Sequence, residues 1–213
     1  MNQCERACAL SEVKVVLHVG SGPKNPRKLH QLFREDGWRE IRLDINPAVH
    51  PDIVASLTDM SAVESASVDA VWSSHNLEHL HAHEVPVALA EFRRVLTSDG
   101  FALVTMPDLQ RVAELIVEDQ TDIAAYHSPS GPITPLDMVY GHGRAIAAGN
   151  GFMAHRTGFT ARTLGEALVR AGFCQADVWR QGFDLWAAAY TTERPRALGP
   201  ITQVEMAPLR SAS

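Results

Sequence analysis

Five short, mostly apolar runs are spaced along the first half of the chain: Val13 to Val19, Ile41 to Ile45, Ile53 to Leu57, Val68 to Trp72, and Phe101 to Met106. Runs of this length separated by helix-like stretches predict strands of a parallel sheet. The clearest helix precedes the fifth run. There Val85, Leu89, Phe92 and Leu96 recur at spacings of four, three and four, and Arg93 and Arg94 sit near the C-terminal end, where cations complement the helix dipole. Ser98-Asp99-Gly100 then turns the chain back. Earlier, Asn25-Pro26 reads as an N-cap and first-turn proline opening a helix through Lys28, Leu29, Leu32 and Phe33. A further helix runs from about Asp108 to Val117. Thr160 caps another through Leu164, Ala167 and Leu168, which Gly172 ends. Cys174 to Trp179 and Leu185 to Tyr190 close the pattern as an antiparallel hairpin.

Between these elements, residues 119–158 form a Gly- and Pro-rich stretch longer than an ordinary connection, which reads as an insertion and a lid. No internal repeat or composition shift marks a second domain, so residues 1–192 are expected to fold as one unit, with 193–213 a loosely ordered tail.

Composition narrows the function classes. The chain has 213 residues, 46% hydrophobic and 21% charged, enough for a sizeable core in a single domain. A net charge of -6 with scattered Lys and Arg offers no basic field for a nucleic-acid backbone. No apolar stretch approaches the roughly 20 residues of a membrane helix, and the N-terminus lacks a signal-peptide pattern, which makes a cytoplasmic setting the expectation. Cys4, Cys8 and Cys174 form no CxxC, so no disulfide framework is expected.

The chemistry begins at Gly20-Ser21-Gly22, where the first run ends, together with Asp44 at the end of the second. Glycines allow a sharp turn and close approach of a ligand to the backbone, and a carboxylate at the next strand end can accept hydrogen bonds from ribose hydroxyls. The pair therefore predicts a nucleoside pocket. The dinucleotide fingerprint carries a third glycine three positions further on, beside a pyrophosphate, but that position is Asn25 here. An adenosine ligand without phosphate, such as S-adenosylmethionine, needs only the two glycines and the acid.

Several blocks resemble the class I S-adenosylmethionine-dependent methyltransferases, in particular the small UbiE-like group. They are Val16 to Pro23 around the glycines, Leu43-Asp44-Ile45, and Ser67 to Trp72. Asn76-Leu77-Glu78-His79-Leu80 and the stretch Phe92 to Leu96 through Asp99-Gly100-Phe101 follow in the same order. His18 and Ser98-Asp99-Gly100 depart from that group's usual residues. The resemblance implies an α/β, Rossmann-like, mostly parallel seven-stranded sheet with helices on both faces and a C-terminal antiparallel hairpin. It also implies S-adenosylmethionine as cofactor. Gly20, Ser21 and Gly22 would lie along the methionine and ribose, Asp44 and Ile45 at the ribose, Asp59 and Met60 at the adenine, and Ser74 and His75 at the methionine end. Asp59 reads equally well as an ordinary N-cap.

Methyl transfer is an in-line displacement at an already activated carbon, so alignment and removal of a proton suffice. His75, Glu78 and His79 are the catalytic candidates, with histidine suited to act as a base near neutral pH. The alternative is that the Glu-His pair shapes the pocket. His75, His79, His81 and His83 form a dense cluster, but their spacing is not helical and no cysteine lies near, so no metal is assigned and the cluster reads as a solvated helix start. In the insertion, Tyr140, His142, His155 and Arg156 are the substrate-binding candidates, arginine favouring a carboxylate or phosphate. Alternatively, His155 and Arg156 brace the Thr160 helix.

The expected activity is methyl transfer to a small-molecule acceptor. The alternative is a non-catalytic sensor or partner subunit that binds the cofactor or its demethylated product, because fold does not fix function. A nicotinamide oxidoreductase is disfavoured by Asn25 and by the absence of a Tyr-x-x-x-Lys pair. The oligomeric state is open, a homodimer being one option.

Overall fold

The computed structural model describes residues 13–193. Its strands are β1 (Lys14–Val19), β2 (Trp38–Asp44), β3 (Ile53–Val54), β4 (Val68–Ser74), β5 (Leu96–Pro107), β6 (Tyr126–Ser128), β7 (Gly131–Ile133), β8 (Gln175–Gln181) and β9 (Asp184–Tyr190). The helices are α1 (Val85–Val95), α2 (Leu109–Val117), α3 (Pro135–Tyr140), α4 (Gly143–Ala147) and α5 (Ala161–Arg170). Seven strands form one sheet in the order β3-β2-β1-β4-β5-β9-β8. β1 to β5 pair in parallel, and β9 enters antiparallel to β5 and to β8, as the C-terminal hairpin predicts. The order reverses between β1 and β4, where open α/β sheets gather ligands beyond the carboxyl ends of their strands.

The two faces of the sheet are buried differently. Leu17, Val19, Leu43, Val71, Ala102, Val104, Ala187 and Ala189 pack with Val85, Ala88, Leu89, Phe92 and Val95 of α1 and Leu164 and Leu168 of α5. Phe92 is fully buried there, and a side chain of that size contributes about 2–3 kcal/mol by leaving water. The opposite face carries Val16, Ala70, Trp72, Leu103 and Ala188, covered by Leu29 and Phe33 from the segment after β1.

That covering segment is not the continuous helix expected from Asn25 to Phe33. Asn25 does cap a turn, accepting from the Arg27 N–H, but the turn is a single 3-10 turn, Pro26–Lys28. Leu29 is then extended and His30 caps a second short 3-10 turn, Gln31–Arg34. In an α-helix the Lys28 carbonyl would accept the Leu32 N–H. Instead it accepts the Trp72 indole N–H at 2.9 Å, while the Leu32 N–H goes to His30 Nδ1 at 3.3 Å. A tertiary hydrogen bond thus takes the acceptor that helix propagation needs.

The third run is also shorter than expected, ending as a strand at Val54. Ser56 Oγ lies 2.8 Å from Thr58 Oγ1 and accepts the Thr58 N–H, folding the next residues into a turn. Residues 119–158 carry structure of their own, the β6-β7 hairpin, α3 and α4. Ile133 and Met138 from this stretch join Val112 of α2 in a small separate cluster. Thr134 and Asp137 form a reciprocal capping box that starts α3. Cys4, Cys8 and all but the first residue of the predicted tail lie outside the described residues. Among the described residues no helix is long and apolar enough to cross a membrane.

Candidate active site

Where β1 ends, Gly20 and Gly22 both adopt left-handed backbone, with φ of +58° and +60°. Asp44 closes the loop from the end of β2: its Oδ2 accepts the Gly22 N–H at 2.7 Å and its Oδ1 the Asn46 N–H at 2.9 Å. Each carboxylate oxygen retains a lone-pair direction, so the group can still accept ribose hydroxyls. Arg42 fastens the same loop, donating to the carbonyls of Gly22, His50 and Val49. Ser21 is buried within the loop, while Ile45 is about half exposed beside it.

Asn76 has no counterpart in the sequence-based assignments. Its Nδ2 donates to the carbonyls of Val19 at 3.0 Å and Ser74 at 3.1 Å, tying the end of β1 to the end of β4. It rests directly on Gly20, where a Cβ would stand 1.8 Å from Asn76 Oδ1. Gly20 is therefore a glycine both for its φ and for this close approach.

Asp59 is exposed, and hydrogen bonds from Ser61 hold its carboxyl below the usual range. Met60 is fully buried. Its N–H donates to Glu91 at 2.8 Å, and its carbonyl accepts from Arg94, which also pairs with Glu91 and donates to the Val63 carbonyl. Helix α1 thus anchors the Asp59-Met60 turn from below.

At the end of β4, Ser74 is partly exposed and His75 is left-handed, with φ of +55°. A non-glycine residue in this region costs of order 1–3 kcal/mol and persists only where its surroundings enforce it. Here the His75 N–H donates to the Thr105 carbonyl at 2.9 Å, and its ring Nδ1 lies 3.2 Å from Glu78 Oε1. Its Nε2 lies 3.8 Å from Asp184. Burial opposes charge on the ring, but the hydrogen bond and charge of Glu78, with the charge of Asp184, prevail and raise its pKa to about 9. At neutral pH the ring is charged and offers hydrogen bonds rather than a lone pair. Burial raises the Asp184 pKa, against the attraction of His75. Glu78 is buried; burial pushes its carboxyl up, but His75 more than offsets this and holds it low. His79 turns away, its Nδ1 3.2 Å from the Ala154 carbonyl.

A cavity of about 580 Å³ opens beside Ser74 and His75. Trp72, Trp179 and Trp186 line it, with Arg27, Lys28 and Arg34 on one wall and Gln181 and Asp184 at the hairpin end. Trp186 stacks on both Trp72 and Trp179, with centroids 5.8 and 6.1 Å apart. These tryptophans lie on the sheet face that lacks α1 and α5, and the two short 3-10 turns leave it partly uncovered. Alternation within the strands could have placed them on one face, but not at a cavity.

The four insertion candidates do not line this cavity. Tyr140 is 66% exposed, and its carbonyl accepts the His155 N–H. His142 Nε2 is buried without a hydrogen-bond partner. His155 Nδ1 lies 2.9 Å from the Met138 carbonyl, and its ring meets that of His79 edge-on at 4.9 Å. Arg156 is exposed, and its N–H donates to the Glu78 carbonyl at 2.8 Å. The chain leaving residues 119–158 is thereby fastened to the segment that follows β4.

The sheet order and the glycine-carboxylate loop are those of an α/β domain with the loop geometry expected of a nucleoside pocket. Residues 17–104, which hold every element of that loop together with β4, α1 and most of β5, match the family described as a methyltransferase domain. That match, together with the fold, supports an S-adenosylmethionine-dependent methyltransferase and S-adenosylmethionine as the cofactor. Solved structures of similar fold include a SAM-dependent methyltransferase from Archaeoglobus fulgidus (14% identity, 84% of this chain and 87% of that one, TM-score 0.55). Another, from Aquifex aeolicus, shares 13% identity over 86% and 85% of the two chains, with a TM-score of 0.54. The 1,6-didemethyltoxoflavin-N1-methyltransferase of Burkholderia thailandensis, with bound 1,6-didemethyltoxoflavin and S-adenosylhomocysteine, shares 17% identity over 84% and 71%, with a TM-score of 0.51. At these identities the likeness concerns the fold. No curated protein sequence matches the chain.

Proposed function

We propose that the chain transfers the methyl group of S-adenosylmethionine to a small acceptor with a flat, apolar ring system, seated against Trp72 and Trp186. The observation that carries this reading is the tryptophan-lined cavity of about 580 Å³, which lies within the usual size of a small-molecule site and reaches Ser74 and His75. The cofactor supplies a methyl carbon made electrophilic by positive sulfur. Gly20, Ser21, Gly22, Asp44 and Ile45 hold its ribose and methionine parts, and Asp59 with the Met60 backbone borders the adenine. His75 gives the reacting end of the acceptor a hydrogen-bonding partner, and Glu78 fixes that ring through Nδ1. His79, turned toward the insertion, positions the segment rather than the acceptor. Arg27, Lys28 and Arg34 suit an acidic substituent on the ring.

The test is calorimetric titration with S-adenosylmethionine, S-adenosylhomocysteine and NAD, followed by a screen of aromatic acids and heterocycles using labelled S-adenosylmethionine. Labelled product, lost when Trp186→Ala is used, supports the reading. Tight cofactor binding with no turnover on any acceptor would favour the sensor or partner subunit instead.

A further inference from the structure

Glu78 is bifunctional in its surroundings. Its Oε1 faces His75, while Oε2 is buried with no hydrogen-bond partner, and the residue is 1% exposed. An orphaned carboxylate oxygen in the interior is costly, of the order of several kcal/mol for a charged group. Beside it stand two histidines from distant parts of the chain. One ligating atom from each of Glu78, His79 and His155 lies within 4.8 Å of the other two.

Both rings are oriented by backbone. His79 Nδ1 lies 3.2 Å from the Ala154 carbonyl, and His155 Nδ1 lies 2.9 Å from the Met138 carbonyl. A carbonyl only accepts, so Nδ1 carries a proton in each ring, and in the neutral tautomer this leaves Nε2 as the nitrogen with the lone pair. This is the outer-shell arrangement that holds metal-ligating histidines in the correct tautomer. His155 is further fixed by its N–H to the Tyr140 carbonyl, and the Arg156 and Thr157 N–H groups both donate to the Glu78 carbonyl. The three donors therefore sit on a braced junction between the core and the insertion.

We infer that Glu78, His79 and His155 bind a divalent transition-metal ion, with zinc the best match to two imidazoles and one carboxylate. Three protein ligands leave a fourth position for water. Ligands at about 2.1 Å in tetrahedral array stand roughly 3.4 Å apart, so the donors need close by no more than about 1.4 Å on binding. The ion satisfies Glu78 Oε2 and pins the insertion to the segment after β4. The other dense histidines take no part: His81 and His83 are exposed and stack on each other at 5.6 Å. A sequence window sees His75 to His83 as one cluster, whereas the fold selects one member and pairs it with a histidine of the insertion.

The experiment uses the untagged full chain, stripped with chelator and titrated with zinc chloride in a calorimeter and with cobalt chloride in a spectrophotometer. One equivalent of zinc with a dissociation constant of about micromolar or tighter is expected, with the intense visible bands of low-coordinate cobalt. Saturating zinc should raise the melting temperature by about 5 °C. His155→Ala and Glu78→Gln should each weaken zinc at least about 100-fold, whereas the double change His81→Asn, His83→Asn should leave it within about threefold. Circular dichroism and S-adenosylmethionine binding establish that each variant is folded; if Glu78→Gln is not, His155→Ala alone decides. Zinc binding that survives His155→Ala, or that disappears with His81 and His83, would overturn the assignment, as would no binding at all.

Discussion

Replacing Gly20 with alanine should damage the glycine-carboxylate loop through a neighbour beyond the end of another strand, and the size of the effect can be worked out. Left-handed backbone costs alanine about 1 kcal/mol more than glycine. The new Cβ would stand 1.8 Å from Asn76 Oδ1 and 2.4 Å from its Cγ, so the Asn76 side chain must leave its seat. Its hydrogen bonds to the Val19 and Ser74 carbonyls are then lost, at about 1 kcal/mol each. The expected total is about 3 kcal/mol, a fall of about 6–12 °C in melting temperature for a domain of this size. Asn76→Ala alone should cost about 2 kcal/mol. With both changes the clash has no partner, so the double variant should lose about 3 kcal/mol rather than the additive 5. Urea denaturation of the four proteins without cofactor measures the cycle. Additivity within about 0.5 kcal/mol would refute the contact as the reason for the glycine.

Further tests address other parts of the site. Asp44→Ala removes the acceptor for two loop N–H groups and the proposed ribose ligand, so affinity for S-adenosylmethionine should fall about 10- to 100-fold by calorimetry. Arg94→Met frees the carbonyls of Met60 and Val63 and should destabilise the protein by about 1–3 kcal/mol while weakening the cofactor, measured by denaturation and titration. Trp72→Phe loses the hydrogen bond to Lys28 and part of the stack on Trp186, so it should cost about 1.5 kcal/mol and raise the KM for the acceptor more than it lowers kcat. Stability should also fall in acid because of His18. Burial lowers its pKa despite Glu40, with Lys28 and Arg42 lowering it further, so the unfolded chain binds the proton more readily. The stabilising contribution is complete above the unfolded value of about 6.5 and is lost as pH drops below it, at up to about 1.4 kcal/mol per unit. His18→Asn should flatten this slope in denaturation curves taken between pH 5 and 7.

Periodicity, with caps such as Thr160 and Gly172, was enough for β1, β2, β4, α1, α5 and the final hairpin, because each depends on local alternation and on residues at its own ends. Gly20, Gly22 and Asp44 were legible too, since one strand, a tight turn and the next strand end bring them together with little help from the rest of the chain. Other features arise between segments far apart in sequence. The Trp72 indole captures the Lys28 carbonyl and breaks a helix that Asn25-Pro26 correctly begins. Asn76 dictates Gly20 from the end of another strand. Trp72 and Trp186 meet across β4, β5 and β9, and His155 reaches Glu78 and His79 only because the insertion folds back. Chain order therefore determined the elements and the glycine-carboxylate loop, whose geometry is set within a few residues. Sheet order and the path of the insertion determined the cavity and the Glu78-His79-His155 junction, because contacts across the fold leave no periodic trace in the sequence.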